Sequence, residues 1–105
     1  MSLFKSKKEL VIPPSARTDD SATELVRVWS AHGGLHCSLN VGSSKEKQNE
    51  AILWGILLSD IARHAATALL EQKNWDRDKT LREIQRVFNE ELDAPTEEVS
   101  GAFLK

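Results

Sequence analysis

The sequence is dominated by residues 51–72, AILWGILLSDIARHAATALLEQ, its most apolar segment. The segment is long enough for about six turns of α-helix. Most of its apolar side chains fall on one broad arc of that helix, and most of its charged side chains fall on the other. In the first two turns, however, Ile52, Leu53 and Ile56 lie on the otherwise polar side. The pattern predicts a helix that lies against a core and whose first half is covered on more than one side, by the rest of the fold or by a partner.

The composition indicates a single globular domain. The chain has 105 residues, of which 40% are hydrophobic and 29% charged, a balance that permits one modest core. A net charge of -2 provides no positive field for nucleic acid. The longest apolar run, 51–58, is well short of the roughly 20 residues of a membrane span, and no signal peptide is recognisable. Because a lone cysteine fits a reducing compartment, we expect a cytoplasmic protein that binds neither nucleic acid nor a membrane.

Residues 9–12 are the first candidate element. This short apolar run is stopped by Pro13 and Pro14, which lack a backbone N–H and fix an extended exit. The preceding residues, 1–8, are basic and have the character of a mobile tail. We therefore predict a short strand at residues 9–12 and place the start of the folded domain at residue 9.

The next segment carries a helix pattern. Ser21 and Glu24 are spaced as in a capping box, in which the two side chains satisfy free backbone N–H groups. The apolar residues that follow recur at helical spacing, and Gly33 and Gly34 can end a helix in the left-handed conformation. These features predict a helix between the capping box and the glycine pair.

Residues 35–41 alternate between apolar and polar side chains. Such alternation predicts a strand with one dry and one wet face, which suits a sheet covered on a single side. Cys37 lies on the dry face, where a thiol behaves as a small hydrophobe rather than as a nucleophile. His36 lies on the wet face.

The chain beyond the central helix contains a third helix pattern. Residues 74–78 break the central helix, Thr80 can open a second capping box, and apolar residues beyond it recur at helical spacing. Pro95 cannot continue a helix, so we expect this one to end near Asp93. Two alternatives remain for residues 95–105, a flexible tail or a short closing strand.

The order of these elements is strand, helix, strand, helix, helix, which predicts the α+β class. We expect three helices packed on one face of a small sheet of two or three strands, in a single domain over residues 9–94. Two strands alone are marginal in water. Either the C-terminal segment adds a strand, or the second strand pairs with its copy in another subunit and the sheet extends across a homodimer.

Three blocks of sequence carry a resemblance to known proteins. LVIPP at 10–14, VWSAHGGLHCSLNVG at 28–42 and WGILLSDIARHAA at 54–66 follow one another in an order that resembles a small family of bacterial domains of unknown function. The resemblance covers residues 10–68. It implies a standalone bacterial α+β domain of similar length, and it brings no activity, cofactor or catalytic residue with it.

Four polar residues are the candidates for a ligand site. Asp60 and His64 stand one turn apart on the central helix with Arg63 nearby, and a carboxylate so placed can orient an imidazole for proton transfer. The alternative is an exposed pair that supports the helix by a few tenths of a kcal/mol. Together with His36 and His32 the same residues could bind zinc, although their spacing matches no metal motif. We assign no catalytic residue, no metal site and no cofactor.

The three tryptophans are the remaining distinctive residues. Trp29 and Trp54 lie in apolar stripes and are expected in the core. Trp75 follows the central helix among polar residues and is our candidate for an aromatic anchor at an interface. The alternative for Trp75 is a cap over the junction of the second and third helices.

The functional expectation follows from these patterns. The lack of a catalytic motif, the apolar excess at the start of the central helix and the free strand edge favour a non-enzymatic protein-protein interaction module, which binds another protein or forms a homodimer. The alternative is a small-ligand or metal-binding domain, with or without catalytic activity, built from His36, Asp60, Arg63 and His64.

Overall fold

The computed structural model describes residues 8–42 and 49–104, without the side chains of Ser100 and residues 102–104. Of the predicted basic tail, residues 1–7 lie outside these ranges. The chain is α+β, as predicted. Its elements are α1 (Pro14–Arg17), β1 (Val26–Ala31), β2 (Gly34–Asn40), α2 (Glu50–Lys73), α3 (Arg77–Asp93) and β3 (Ser100–Leu104).

β1 and β2 form an antiparallel hairpin, so the helix predicted over β1 is wrong. The strands are joined by His32 and Gly33, whose φ angles of 51° and 75° are typical of a two-residue hairpin turn with both residues in the left-handed region. Val26 and Val28 are β-branched and favour a strand. The glycines therefore belong to a hairpin and do not cap a helix, and pairing with β2 outweighs the helical spacing.

The segment before β1 contains no strand at residues 9–12, so that prediction is also wrong. Pro14 instead starts the single turn of α1, and the carbonyl of Pro13 accepts the first backbone hydrogen bond of that turn at 3.0 Å. Proline suits this place because the first N–H groups of a helix have no intrahelical partner. Ser21 is not a helix cap either, since its N–H donates to Asp19 Oδ1 at 2.9 Å in a local turn.

The sheet has the strand order β1-β2-β3, and β3 is parallel to β2. Of the two alternatives for the C-terminal segment, the structure therefore contains a strand. Because β2 is paired on both sides, it has no free edge for its copy in another subunit, and the edges are β1 and β3. The register places Val28 opposite Cys37 and Trp29 opposite His36, so β2 keeps the apolar and polar faces that the sequence predicts.

α2 and α3 form a helical hairpin. α2 confirms the predicted central helix, and it is capped by Asn49 at one end and by Asn74, in the left-handed conformation, at the other. α3 is capped by Asp76, whose side chain accepts a backbone N–H at 2.9 Å. Thr80 thus lies inside the first turn and is not the predicted cap. The predicted end near Asp93 is confirmed.

The sheet and the helical hairpin do not pack on each other within one chain. Among the described elements, strands contact only strands and α2 contacts only α3, so the predicted layer of helices on the sheet is not formed by a single chain. Ala66 on α2 is the one fully buried apolar side chain in the described ranges. The radius of gyration is 16.2 Å, whereas a compact domain of this length has about 13 Å.

Candidate functional site

The N-terminal half of α2 is apolar and open. Ile52 and Ile56 lie one turn apart and are 59% and 55% exposed, and Leu58 and Ile61, on another side of the helix, are about half-exposed. A helix that is apolar on several sides is normally buried on several sides, yet α3 is the only described element that α2 contacts. The described part of a single chain therefore leaves exposed the turns that the sequence predicts to be covered.

One face of the sheet is also apolar and open. The strand register places Val26 opposite Leu39 and Val28 opposite Cys37, with Leu35 on the same face; we call these five residues the apolar sheet face. Val28 and Leu35 are 51% and 57% exposed. Because a sheet with one apolar face needs a covering layer, this surface is the second candidate for an interface.

α3 adds a narrower apolar stripe between charged sides. Phe88 and Leu92 lie on the stripe and are exposed. On the polar side, hydrogen bonds to Glu83 and Glu90 raise the pKa of the Arg86 guanidinium, which therefore stays charged. These ion pairs belong to a solvated surface and contribute little to stability.

Glu50 connects the end of the hairpin to the start of α2. Its Oε2 accepts the N–H of Gly42 at 2.9 Å and the indole N–H of Trp54 at 2.9 Å. The hydrogen bond from Gly42, followed by that from Trp54, stabilises the carboxylate and lowers the pKa of Glu50. Gly42 has a φ of 78°, which suits glycine. The sequence signal for this contact, an acidic residue in the first helical turn four residues before an indole, was missed.

Acidification is expected to break the Glu50 contact. Because its pKa in the folded chain is depressed, the stability that Glu50 contributes is present above its ordinary pKa and is lost as the pH falls through the lower folded value. With Trp29 and Trp75 replaced by phenylalanine, fluorescence of Trp54 should therefore titrate with a midpoint below 4.5, the ordinary value for glutamate. Adding Glu50→Gln should abolish this transition. A midpoint above 4.5, or a transition that survives Glu50→Gln, would contradict the assignment.

The four residues predicted as a ligand site are only partly brought together. Asp60 and Arg63 form an exposed ion pair on α2, and His64 is exposed on the same helix. His36 lies on β2, with Nε2 3.0 Å from the carbonyl oxygen of Ala31, and β2 does not contact α2. The described ranges hold no group of three or more His, Cys, Asp or Glu residues placed to bind a metal. The ligand site stays a prediction that one chain does not assemble.

The other singled-out residues lie in three different places. His32, expected at a helix end, is in the hairpin turn, and Cys37 is half-buried on the apolar sheet face. Trp29 and Trp54, expected in the core, are half-buried. Trp75 is exposed at the junction of α2 and α3, beside a shallow pocket of about 510 Å³. Its role as an interface anchor stays a prediction.

A groove of about 1150 Å³ runs along the edge strand β1, between that strand and residues 8–13. Arg27 Nη1 on β1 donates to Glu9 Oε2 at 2.9 Å, and this ion pair connects the two sides of the groove. Leu10 and Val11 in the outer wall are almost fully exposed. The edge of the sheet is thus flanked by an apolar segment that does not pair with it as a strand.

α2 has the length and the hydropathy of a membrane-spanning helix. Its 24 residues are long enough and apolar enough to cross a membrane, and little of the helix is buried in the structure. The match rests on length and composition alone, and the core helix of a soluble protein meets the same criterion. α2 therefore needs a further apolar neighbour, besides α3, that the described part of one chain does not supply.

These observations define a small α+β domain with an open helix surface and an open sheet face. The family model described as a domain of unknown function (DUF5076) matches residues 9–96. The chain belongs to this family, which confirms the resemblance to a small family of domains of unknown function. No curated protein matches the chain.

A solved structure is similar to this chain over nearly its whole length. It is described as the structure of a "putative pyruvate dehydrogenase" from the photosynthetic bacterium Rhodopseudomonas palustrus CGA009. The two chains are 29% identical with a TM-score of 0.68, and the match covers 90% of this chain and 93% of that chain. The likeness therefore extends through both the sheet and the helical hairpin.

Proposed function

We propose that this domain is a homodimerising interaction module whose hydrophobic core is completed by a second copy of the chain. The open apolar surface carries the proposal: although 40% of the residues are hydrophobic, Ala66 is the one such side chain fully buried in the described ranges. The chain exposes 9701 Å², well above the roughly 5,900 Å² of a compact protein of its mass. The open sides of α2 and of the sheet contribute to this excess, and obligate homodimers bury large apolar surfaces of this kind.

Leaving this surface in water would cost a single chain much of its stability. Fully burying a large aliphatic side chain contributes about 1.5 to 3 kcal/mol to the free energy of folding. A side chain that stays half-exposed therefore contributes about 1 kcal/mol less than a buried one. The net stability of a domain is only about 5 to 15 kcal/mol. Six side chains that are about half-exposed thus account for a loss of comparable size: Val28, Leu35, Ile52, Ile56, Leu58 and Ile61.

A second copy suits this surface better than a lipid layer does. Asp60 and Arg63 lie near the middle of α2, and a charged side chain at the centre of a bilayer costs about 2.5 to 3.5 kcal/mol. A protein partner can cover the apolar sides of α2 and leave this ion pair in water. Closed two-fold dimers are also the commonest assembly of soluble proteins. Since the lone cysteine fits a reducing compartment, we place the dimer in the cytoplasm.

The name of the similar structure raises an enzymatic alternative, which the described residues of this chain support less well. An enzyme active site needs binding and proton-transfer groups that converge on the substrate. Here His36 lies on the sheet, Asp60 and His64 lie on α2, and these elements do not contact each other. The interaction module accounts for the large open apolar surface, which an isolated catalytic chain would not require.

Light scattering during gel filtration tests the proposal. The full chain has a mass of 11.7 kDa, and we expect a particle of about twice that mass in detergent-free buffer because two-fold closure uses both open surfaces. A folded species at the monomer mass would overturn the proposal. A chain that stays in solution only with detergent would also overturn it, in favour of a lipid layer.

A further inference from the structure

We infer that the two chains of the dimer exchange layers: the first two turns of α2 in one chain cover the apolar sheet face of the other. The inference rests on the proposed homodimer and names its interface. Ile52 and Ile56 form the helix side of the contact. Val28, Leu35 and Cys37 lie at the centre of the sheet side.

Each surface lacks, in its own chain, the kind of neighbour that it needs. A sheet with one apolar face is stabilised by a layer of helices or by a second sheet, yet the described strands contact only strands. A helix that is apolar on several sides needs more than one neighbour, yet among the described elements α2 contacts only α3. Within the described part of one chain, the helix therefore lacks a sheet to pack on and the sheet lacks a covering helix. In a two-fold dimer the helix of each chain can cover the sheet of the other, which gives two equivalent contacts.

The two surfaces match in extent. The apolar sheet face lies on β1 and β2, and neighbouring strands in a sheet lie about 4.8 Å apart. Ile52 and Ile56 are four residues apart, a rise of about 6 Å along the helix axis. Further along the same side of α2, one-turn steps lead to Ser59 and Arg63, which are polar. The apolar patch on this side of the helix is therefore about as long as the apolar sheet face is wide.

The contact also buries no charge. The alternation of β1 places Arg27, with its partner Glu9, on the opposite face from Val28. Glu50, at the start of α2, is already bound to Gly42 and Trp54. Interface cores are depleted of charged residues because a charge that loses its water without a good partner is costly. The apolar sheet face and the Ile52–Ile56 side of α2 fulfil this condition.

A pair of cysteines tests the arrangement, because Cys37 is the only cysteine in the chain. In Ile56→Cys, a short bismaleimide should join Cys37 of one chain to the introduced thiol of the other. The product should run as a covalent dimer on a denaturing gel, and peptide mapping should place the link between these two positions. Ile52→Cys, one turn earlier, should give the same result if the first variant folds poorly.

Two matched controls define the background. Gln85→Cys places a thiol on an exposed side of α3, and it should give little cross-linking to Cys37. Ile56→Cys combined with Cys37→Ser removes the sheet thiol, and it should lose the covalent dimer. Persistence of the dimer band in this second control would mean that two copies of α2 meet each other, which would overturn the inference.

The remaining outcomes separate the interface from the proposed function. A dimer by light scattering without a link between positions 37 and 56 would overturn the exchange of layers and leave the homodimer standing. The same link in a band of monomer mass would show α2 folded onto its own sheet and would also overturn the exchange. A monomer mass for the unmodified chain would overturn the homodimer itself.

Discussion

Replacing Ala66 with aspartate is expected to unfold the helical hairpin. Ala66 is fully buried on α2, whose only contacting element in the described ranges is α3, so the new carboxylate would lose its water at a place that holds only a methyl group. An unpaired buried charge costs about 3 to 5 kcal/mol, a large share of the total stability of a domain. Since each kcal/mol shifts the Tm of a domain of this size by about 4 to 8 °C, circular dichroism should show a fall of tens of degrees or no cooperative transition.

Ala51→Asp is the matched control for this prediction. Ala51 lies in the first turn of the same helix and is exposed. A carboxylate near a helix N-terminus interacts favourably with the helix dipole, so this variant should melt at the temperature of the unmodified chain or slightly above it. An equal loss of stability in both variants would contradict the burial of Ala66 between the two helices.

The sequence predicts α2 and α3 well because their signals are local. α2 runs over 24 residues, long enough for the apolar periodicity to be unambiguous. Its end at Asn74 follows from a polar break, and the end of α3 follows from Pro95. The start of α3 is predicted less well, since Asp76 and Thr80 are both good caps and the choice between them depends on the packing of α3 against α2.

The sequence misassigns β1 because two local signals conflict. Val26, Val28 and Trp29 fit a helical stripe as well as they fit a strand, and the glycine pair fits a helix end as well as a hairpin. The structure resolves the conflict through His32, a non-glycine residue in the left-handed conformation. Pairing with β2 determines that conformation, and a pattern within β1 alone does not reveal it.

The candidate interface could be predicted only in part. Ile52 and Ile56 by themselves indicate that the start of α2 needs more than one neighbour. Which surface covers them does not follow from periodicity, because the covering residues lie far away in the sequence or in another chain. The contact of Glu50 with Gly42 could not be predicted for a similar reason, because it depends on where the end of β2 lies relative to the start of α2.

A second large effect is expected from Ile56→Asp, which should turn the proposed dimer into a monomer. The side chain is 55% exposed in the single chain, so the substitution adds little strain there, whereas in the dimer it places a carboxylate in an apolar contact. Truncating an interface hot spot costs about 2 kcal/mol or more of binding free energy. In a two-fold dimer the substituted residue occurs at two equivalent contacts, so this cost is counted twice. Since about 1.4 kcal/mol is a tenfold change in Kd, sedimentation should report a Kd weakened by roughly a thousandfold or more.

The dependence on protein concentration separates this effect from that of Ala66→Asp. If Ile56 acts at the interface, raising the protein concentration should recover both the dimer and the helix content of Ile56→Asp, because mass action favours the associated state. Ala66→Asp leaves an unpaired buried charge in each chain of the dimer as well, so its helix content should recover only at a far higher protein concentration than that of Ile56→Asp. Gln85→Asp, which adds the same charge on an exposed side of α3, should remain a dimer throughout. A dimer that persists in Ile56→Asp at low concentration would exclude this side of α2 from the interface.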